Sequence, residues 1–234
     1  MVVAVMSKKG KPRKVQQDLF LFKKHGGARK GAGRKKLPGA GLTHRVREEL
    51  PKGCPVHVTV RLVDGLPSLR QWTEYELLRE CFRAGRERFG FRLVHYCVLA
   101  NHLHLIVEAK DRQALTRGMQ GLLVRIARGL NRLWKRKGRV FADRYHDHVL
   151  KTSREVRNAL AYVLNNARHH GLRLRQLMDI FTSAGRFDGW KEKVRIVGKD
   201  KGNIPVTAPR TWLLSKGWRQ HRLISVHEIP GGAP

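Results

Sequence analysis

The sequence predicts an α+β protein of the ferredoxin-like or RRM-like type, an antiparallel sheet with helices on one face. Segments with the alternating apolar residues of strands begin at residues 56, 92, 102 and 139. Three segments with apolar residues at helical intervals lie between or after them. The resulting order is strand, helix, strand, strand, helix, strand, helix, and it matches this architecture.

The first strand and the first helix are predicted from residues 56 to 89. Residues 56–63 alternate between apolar and polar side chains. Thr73 and Glu76 have the spacing of a capping box, which predicts a helix start. The helix carries apolar residues at roughly helical intervals: Trp72, Tyr75, Leu78, Phe82 and Phe89.

A β-hairpin and a long helix follow in the pattern. Residues 92–99 and 102–108 flank a two-residue turn, as in a hairpin. Asp111 has the position of an N-terminal cap for a helix that continues to about Arg136. One side of this helix is apolar and its other sides are rich in arginine.

The last predicted elements are a fourth strand and a third helix. The strand covers residues 139–150. Thr152 and Glu155 form a second capping box, so the helix is expected over about 154–170, ending at Gly171.

The charge of the chain indicates its partner. The 234 residues include 49 Lys and Arg against 18 Asp and Glu, a formal net charge of +31. Hydrophobic residues make up 41%, so a folded core is expected. A positive surplus of this size requires a polyanion to offset it, and nucleic acid phosphate is the usual one.

The pattern divides the chain into three predicted regions. Residues 1–52 form a basic arm with fifteen Lys and Arg against three Asp and Glu, and we expect it to contact DNA, a solubilising tail being the alternative. Residues 53–184 form the folded domain. Residues 185–234 form a basic extension with a short amphipathic helix, whose Trp212 and Trp218 could dock or stack.

The sequence gives no indication of secretion or membrane insertion. The cysteines Cys54, Cys81 and Cys97 are odd in number and form no CxxC pair, which is typical of a reducing compartment. We find no run of about 18 apolar residues. A cytoplasmic, nucleoid-associated protein without a membrane partner is therefore expected.

His102 and His104 are the first candidates for chemistry. In a strand, residues i and i+2 share a face, so both imidazoles point the same way while Leu103 is buried on the other side. Two neighbouring imidazoles suit a divalent metal. His146 and His148 have the same spacing around Asp147, but burying an unpaired carboxylate is costly. We therefore expect that second pair at a strand end, at a solvated edge or near the DNA.

The third helix carries the remaining candidates. Leu160, Val163, Leu164 and Ala167 define its buried side, and on the opposite side lie Tyr162, Asn165, Asn166 and His169. Tyr162 and Asn166 are i and i+4, one turn apart on a continuous helix. Asn166 could complete a metal shell begun by the two histidines, with the phenol of Tyr162 beside it.

The sequence resembles a known family in these same motifs. LANHLHLIVE (99–108), VFADRYHDHVL (140–150) and AYVLNNARHHG (161–171) are similar to segments of the REP-associated tyrosine transposases, which are single-tyrosine HUH transposases of the insertion-sequence type. The resemblance covers about residues 54–171 and implies the HUH endonuclease fold. One departure is that Ala167 stands where the family usually has proline, which predicts a longer tyrosine helix.

The resemblance implies a mechanism with assigned residues. His102 and His104 would bind Mg²⁺ or Mn²⁺, Asn166 would be the third ligand, and Tyr162 would be the nucleophile. The substrate would be single-stranded DNA beside a hairpin, cut through a 5′-phosphotyrosine intermediate. Related enzymes exchange the tyrosine helix between subunits, so a homodimer is possible.

Two other functions fit parts of the pattern. A non-catalytic nucleic-acid binder with an RRM-like domain would explain the charge and would ignore EDTA. A metal-dependent phosphodiesterase would use water as the nucleophile, with Tyr162 stacking on a base, and would form no covalent intermediate.

Overall fold

A computed structural model of the protein describes residues 47–194 and 204–230. Most of the predicted arm at 1–52, and residues 195–203 and 231–234 of the predicted extension, lie outside the described residues. Within these residues the five strands are β1 (Val56–Arg61), β2 (Glu87–Arg88), β3 (Phe91–Val98), β4 (His102–Ala109) and β5 (His146–Val149). They form one sheet in the order β2-β3-β4-β1-β5, with every neighbouring pair antiparallel. The predicted α+β class and antiparallel sheet are confirmed.

Three longer helices and several short ones accompany the sheet. The helices are α1 (Trp72–Gly85), α2 (Arg112–Leu133), α3 (Ser153–Leu164), α4 (Asn166–His169) and α5 (Trp212–Ser215). In the described part of the chain, none of the helices combines the length and apolar composition that a bilayer crossing needs.

The helices lie on both faces of the sheet. α1 and α2 cover the face to which Leu103, Leu105 and Val107 of β4 point, and together they enclose the first hydrophobic core. Ile106 points to the other face and belongs to a second core that contains the apolar side of α3. The expectation of helices on one face therefore holds for α1 and α2, whereas α3 takes the opposite face.

The second core also includes residues beyond the predicted domain end at 184. These residues pack with α3 and are Phe187, Trp190, Leu214, Trp218, Ile224 and Val226. Trp218 is buried, whereas Trp212 is exposed. The described residues of the predicted extension thus contribute a layer that holds α3 against the sheet.

Local signals at the helix ends had mixed outcomes. The side chain of Asp111 accepts a hydrogen bond from the Ala114 amide, as predicted for the cap of α2. The capping box of Thr152 and Glu155 is formed at the start of α3. The box predicted at Thr73 is wrong, because α1 begins at Trp72 without any side-chain cap.

The predicted fourth strand is shorter than residues 139–150. Only His146–Val149 pair with β1 as a strand. Phe141 makes an isolated bridge with Leu62, so the chain follows the sheet edge without continuous pairing.

Candidate active site

Five histidines of β1, β4 and β5 share one face of the sheet. Directly opposed residues of antiparallel strands point to the same side. Thr59 of β1 lies opposite His104 on one side and His146 on the other, and His57 lies opposite His148. His102 lies opposite Arg61. The histidines that β1, β4 and β5 place on this face are His57, His102, His104, His146 and His148.

α3 covers this face and brings Tyr162 to the histidines. The Tyr162 ring lies edge-on to that of His104, with centroids 5.1 Å apart. It also contacts His57 at 5.8 Å and His169 at 5.4 Å. The structure therefore brings together the tyrosine and the histidine pair singled out from the sequence.

The two predicted ligand histidines differ in their surroundings. Their ring centroids are 5.0 Å apart. His104 is buried, and its Nδ1 lies 3.1 Å from both Thr59 Oγ1 and His57 Nε2. Within the described residues the buried Nε2 of His104 has no hydrogen-bond partner. The Nδ1 of the more exposed His102 lies 2.8 Å from Asn101 Oδ1.

The electrostatics of the cluster favour neutral imidazoles. Burial, reinforced by His57 and the other histidines around it, lowers the pKa of His104 to about 3. Burial, with His148 and His146 nearby, lowers the pKa of His57 to about 4. The pKa of His102 is also lowered, by burial first and then by His170 and Arg61. Neutral rings offer the lone pairs that a cation needs.

The helix that carries Tyr162 is interrupted before Asn166. α3 ends at Leu164, and the backbone at Asn165 (φ −107°, ψ 15°) separates it from α4. The Asn165 Nδ2 donates to the Ser225 carbonyl, which holds this break. The continuous helix predicted over 154–170 is wrong, so Tyr162 and Asn166 are not one turn apart on a single helix.

Asn166 is nevertheless unusual among the buried side chains. It is 0% exposed, and neither its Oδ1 nor its Nδ2 has a hydrogen-bond partner among the described residues. A buried amide without partners costs free energy unless something else satisfies it. His104 Nε2 is in the same condition, so two of the three predicted ligands have unsatisfied buried atoms.

These side chains fit a divalent cation in their chemistry. Imidazole nitrogens and an amide oxygen are suitable donors for Mg²⁺ or Mn²⁺. Across residues 47–194 and 204–230, no group of three or more His, Cys, Asp or Glu side chains is placed to hold a metal ion. The predicted set differs from such a group because its third member is an amide.

The second histidine pair lies on an exposed edge strand. His146 and His148 are exposed on β5, in agreement with the expected solvated edge. The carboxylate of Asp147 is not unpaired, because Arg47 and Arg112 both form ion pairs with it on the other side of the strand. The expectation that Asp147 would be an unpaired carboxylate, costly to bury, was therefore wrong. Because Asp147 points to the other side, β5 presents both of its histidines on the face that carries His57.

An open cleft runs past Tyr162. It has a volume of about 1180 Å³ and is lined by His57, His148, Tyr162, Arg157 and Glu228, among others. Neither His57 nor Thr59 is among the candidate residues that the sequence singled out. The sequence shows that these two residues share one face of β1. It does not show how β1 pairs with β4, and that pairing places them at His104.

Comparisons with known proteins identify the folded region. Residues 53–166 match the family described as "Transposase IS200 like". Comparison with curated proteins gave no match. Among solved structures, one described as a REP-associated tyrosine transposase bound to a REP hairpin is 19% identical, covering 60% of this chain and 82% of that chain at a TM-score of 0.48. The match to the IS200-like transposase family therefore spans residues 53–166, which carry the sheet, α1, α2, α3 and the tyrosine–histidine cluster.

Proposed function

We propose that the protein cuts and rejoins single-stranded DNA through a covalent bond to Tyr162. The observation that carries the proposal is the contact between the Tyr162 ring and His104, whose buried Nε2 has no hydrogen-bond partner among the described residues. A tyrosine in a purely structural role does not require an imidazole with an unsatisfied nitrogen beside it. The match of residues 53–166 to a transposase family supports the same reaction class.

The covalent step exchanges one phosphodiester bond for another. The phenolic oxygen of Tyr162, after losing its proton, bonds to the phosphorus of the scissile phosphate. The bond from that phosphorus to the 3′ oxygen of the preceding nucleotide breaks, and this oxygen takes up a proton. The products are a 5′-phosphotyrosine and a free 3′-hydroxyl. Attack by another 3′-hydroxyl reverses the step and joins strands without ATP.

His102, His104 and Asn166 would hold Mg²⁺ or Mn²⁺ in this proposal. When bound, the cation would stabilise the negative charge that develops on the phosphate oxygens. The protein's own contribution is to keep the imidazoles neutral and the phenol close to them. The cleft beside Tyr162 would receive the single strand, with His148 and Arg157 along its walls.

A double-stranded segment of the DNA would bind on the other side of the sheet. A groove between α1 and α2 is lined by Arg83, Arg125, Arg128 and Arg132, and none of these forms an ion pair within the described part of the chain. Gly121 also lines it, and a Cβ at this position would meet nothing within 4 Å. A helical glycine without a packing reason allows a phosphate backbone to approach closely. A hairpin stem is the partner we propose for this groove.

A covalent-trapping assay tests the proposed reaction. The full-length protein is incubated with labelled single-stranded hairpin DNA and Mn²⁺, and the mixture is run on an SDS gel. We expect a shifted band that is lost in Tyr162→Phe and in EDTA. An adduct that persists in Tyr162→Phe would show that Tyr162 is not the nucleophile.

The same assay separates the two other functions. A non-catalytic binder would retain DNA without cleavage, and EDTA would leave its affinity unchanged. A phosphodiesterase that uses water would cleave the strand without any SDS-resistant band.

A further inference from the structure

We propose that Thr59 and His57 are positioning residues that fix the ring orientation and tautomer of His104. The inference rests on the proposed function, because His104 is one of the side chains proposed to hold the cation. It adds two residues of β1 that neither the family motifs nor the comparisons assign.

The two ring nitrogens of His104 have different surroundings. His104 Nδ1 lies 3.1 Å from Thr59 Oγ1 and 3.1 Å from His57 Nε2. One ring nitrogen of His104 therefore has two polar neighbours, while the other, Nε2, is buried and has none among the described residues. The asymmetry fixes which edge of the ring is held by the protein and which is left for a ligand.

The proposed cation at Nε2, together with these contacts, selects the tautomer of His104. A neutral imidazole carries one proton, and a nitrogen that binds a cation must be the unprotonated one. With the proton on Nδ1, that one N–H is shared between the Thr59 oxygen and the lone pair of His57 Nε2, both 3.1 Å away. Its Nε2 then presents a lone pair to the site. A histidine that binds a metal commonly donates its other N–H in this way.

The fold makes this arrangement rigid. Thr59 is the direct partner of His104 in the pairing of β1 with β4, so their side chains share one face at the closest cross-strand distance. His57 stands two residues earlier on the same face, and its ring centroid is 5.2 Å from that of His104. Tyr162 closes the cluster, in contact with both histidine rings.

The orientation matters for affinity more than for folding. Without a partner at Nδ1, the His104 ring can carry its proton on either nitrogen, and the Nε2-protonated form cannot bind a cation. Loss of such a partner typically weakens metal affinity by about 10- to 100-fold. The predicted signature is weaker Mn²⁺ binding in a protein that remains folded.

The test is an Mn²⁺ titration of the full-length chain, with free Mn²⁺ measured by electron paramagnetic resonance. Thr59→Val and His57→Phe should each weaken Mn²⁺ affinity by about 10- to 100-fold. Thr59→Ser and His57→Gln keep a polar atom and should recover most of that loss. His227→Phe, at an exposed histidine outside the site, should bind Mn²⁺ like the wild type, and urea unfolding confirms that each variant is folded.

His104→Ala separates failure of this inference from failure of the proposed function. If His104→Ala loses Mn²⁺ binding while Thr59→Val and His57→Phe bind it normally, the positioning role is overturned and the metal site stands. If the wild type binds no Mn²⁺, or His104→Ala binds it normally, the proposed metal site is wrong and the positioning role falls with it.

Discussion

The ring of Tyr162 meets the ring of His104 at a centroid distance of 5.1 Å, with the two planes at 82°. The two residues come from α3 and β4, which are far apart in the chain and meet only because α3 covers the histidine face of the sheet. This contact places a potential nucleophile beside a neutral imidazole with an unsatisfied nitrogen.

Removing the imidazole of His104 should abolish adduct formation while DNA binding persists. We expect His104→Ala to reduce the yield of covalent adduct by at least about 100-fold, because a ligand of the proposed cation is lost. The measurement is the SDS-resistant band, with DNA affinity determined in parallel by fluorescence anisotropy. His227→Ala is the matched control and should form normal amounts of adduct. An adduct of normal yield from His104→Ala would contradict the proposed role of this histidine.

Asn166 should show opposite effects on stability and activity. Its amide is fully buried and has no partner in the part of the chain that the structure describes, so Asn166→Leu removes an unsatisfied group and should raise the free energy of unfolding by about 1 kcal/mol. The same change should abolish the covalent adduct. Urea unfolding and the trapping assay measure the two effects.

The neighbouring Asn165 provides the matched control. Asn165→Ala removes a hydrogen bond to the Ser225 carbonyl and should lower the free energy of unfolding by about 1 kcal/mol. An Asn166→Leu variant that is destabilised by as much as Asn165→Ala would show that Asn166 has a structural role.

Two substitutions at Gly121 should have separate effects on the stability of α2 and on the binding of duplex DNA. Gly121→Ala meets no neighbouring atom and should stabilise α2 by about 1 kcal/mol, because glycine is a poor helix former. Gly121→Leu should also fold, but its side chain would fill the arginine-lined groove and weaken binding of a hairpin stem by about tenfold or more. Anisotropy titrations with hairpin DNA and with unstructured single strands measure this. Equal affinities for the stem in the Leu and Ala variants would exclude the groove as its binding site.

The buried His95 should make stability depend on pH. Burial lowers the pKa of His95 to about 4, from an ordinary value of 6.5 that applies in the unfolded chain. Below pH 6.5 this histidine is protonated in the unfolded chain but stays neutral in the folded protein until the pH approaches 4. The free energy of unfolding therefore falls as the pH drops. The expected contribution of His95 at pH 4 is a loss of about 3 kcal/mol.

The variant His95→Asn isolates this contribution. An asparagine can keep a contact with Ser183, whose Oγ lies 3.1 Å from the His95 Nδ1, but it does not titrate. Urea unfolding between pH 7 and pH 4 should therefore give a shallower pH slope for the variant than for the wild type. Identical slopes would show that other groups, such as His57 and His104, carry the whole effect.

Short-range patterns were sufficient for most of the fold. The alternation in β1, the hairpin of β3 and β4, and the caps of α2 and α3 were predicted because each depends on neighbours within a few residues. The break at Asn165 was not, because the Ser225 carbonyl that holds it comes from a distant part of the chain. The shared face of His102 and His104 followed from the two-residue period of a strand.

The sequence by itself determined the residue types, their local spacing and the charge of this protein, and with them the α+β class and the pairing of His102 with His104. Only the tertiary structure decided that α3 lies across the face opposite α1 and α2, so that Tyr162 reaches His104. It also decided that Thr59 and His57 contact the His104 ring, because the register between β1 and β4 sets those contacts. The physical reason is that strand and helix periods are local, whereas registers and helix positions are fixed by long-range packing.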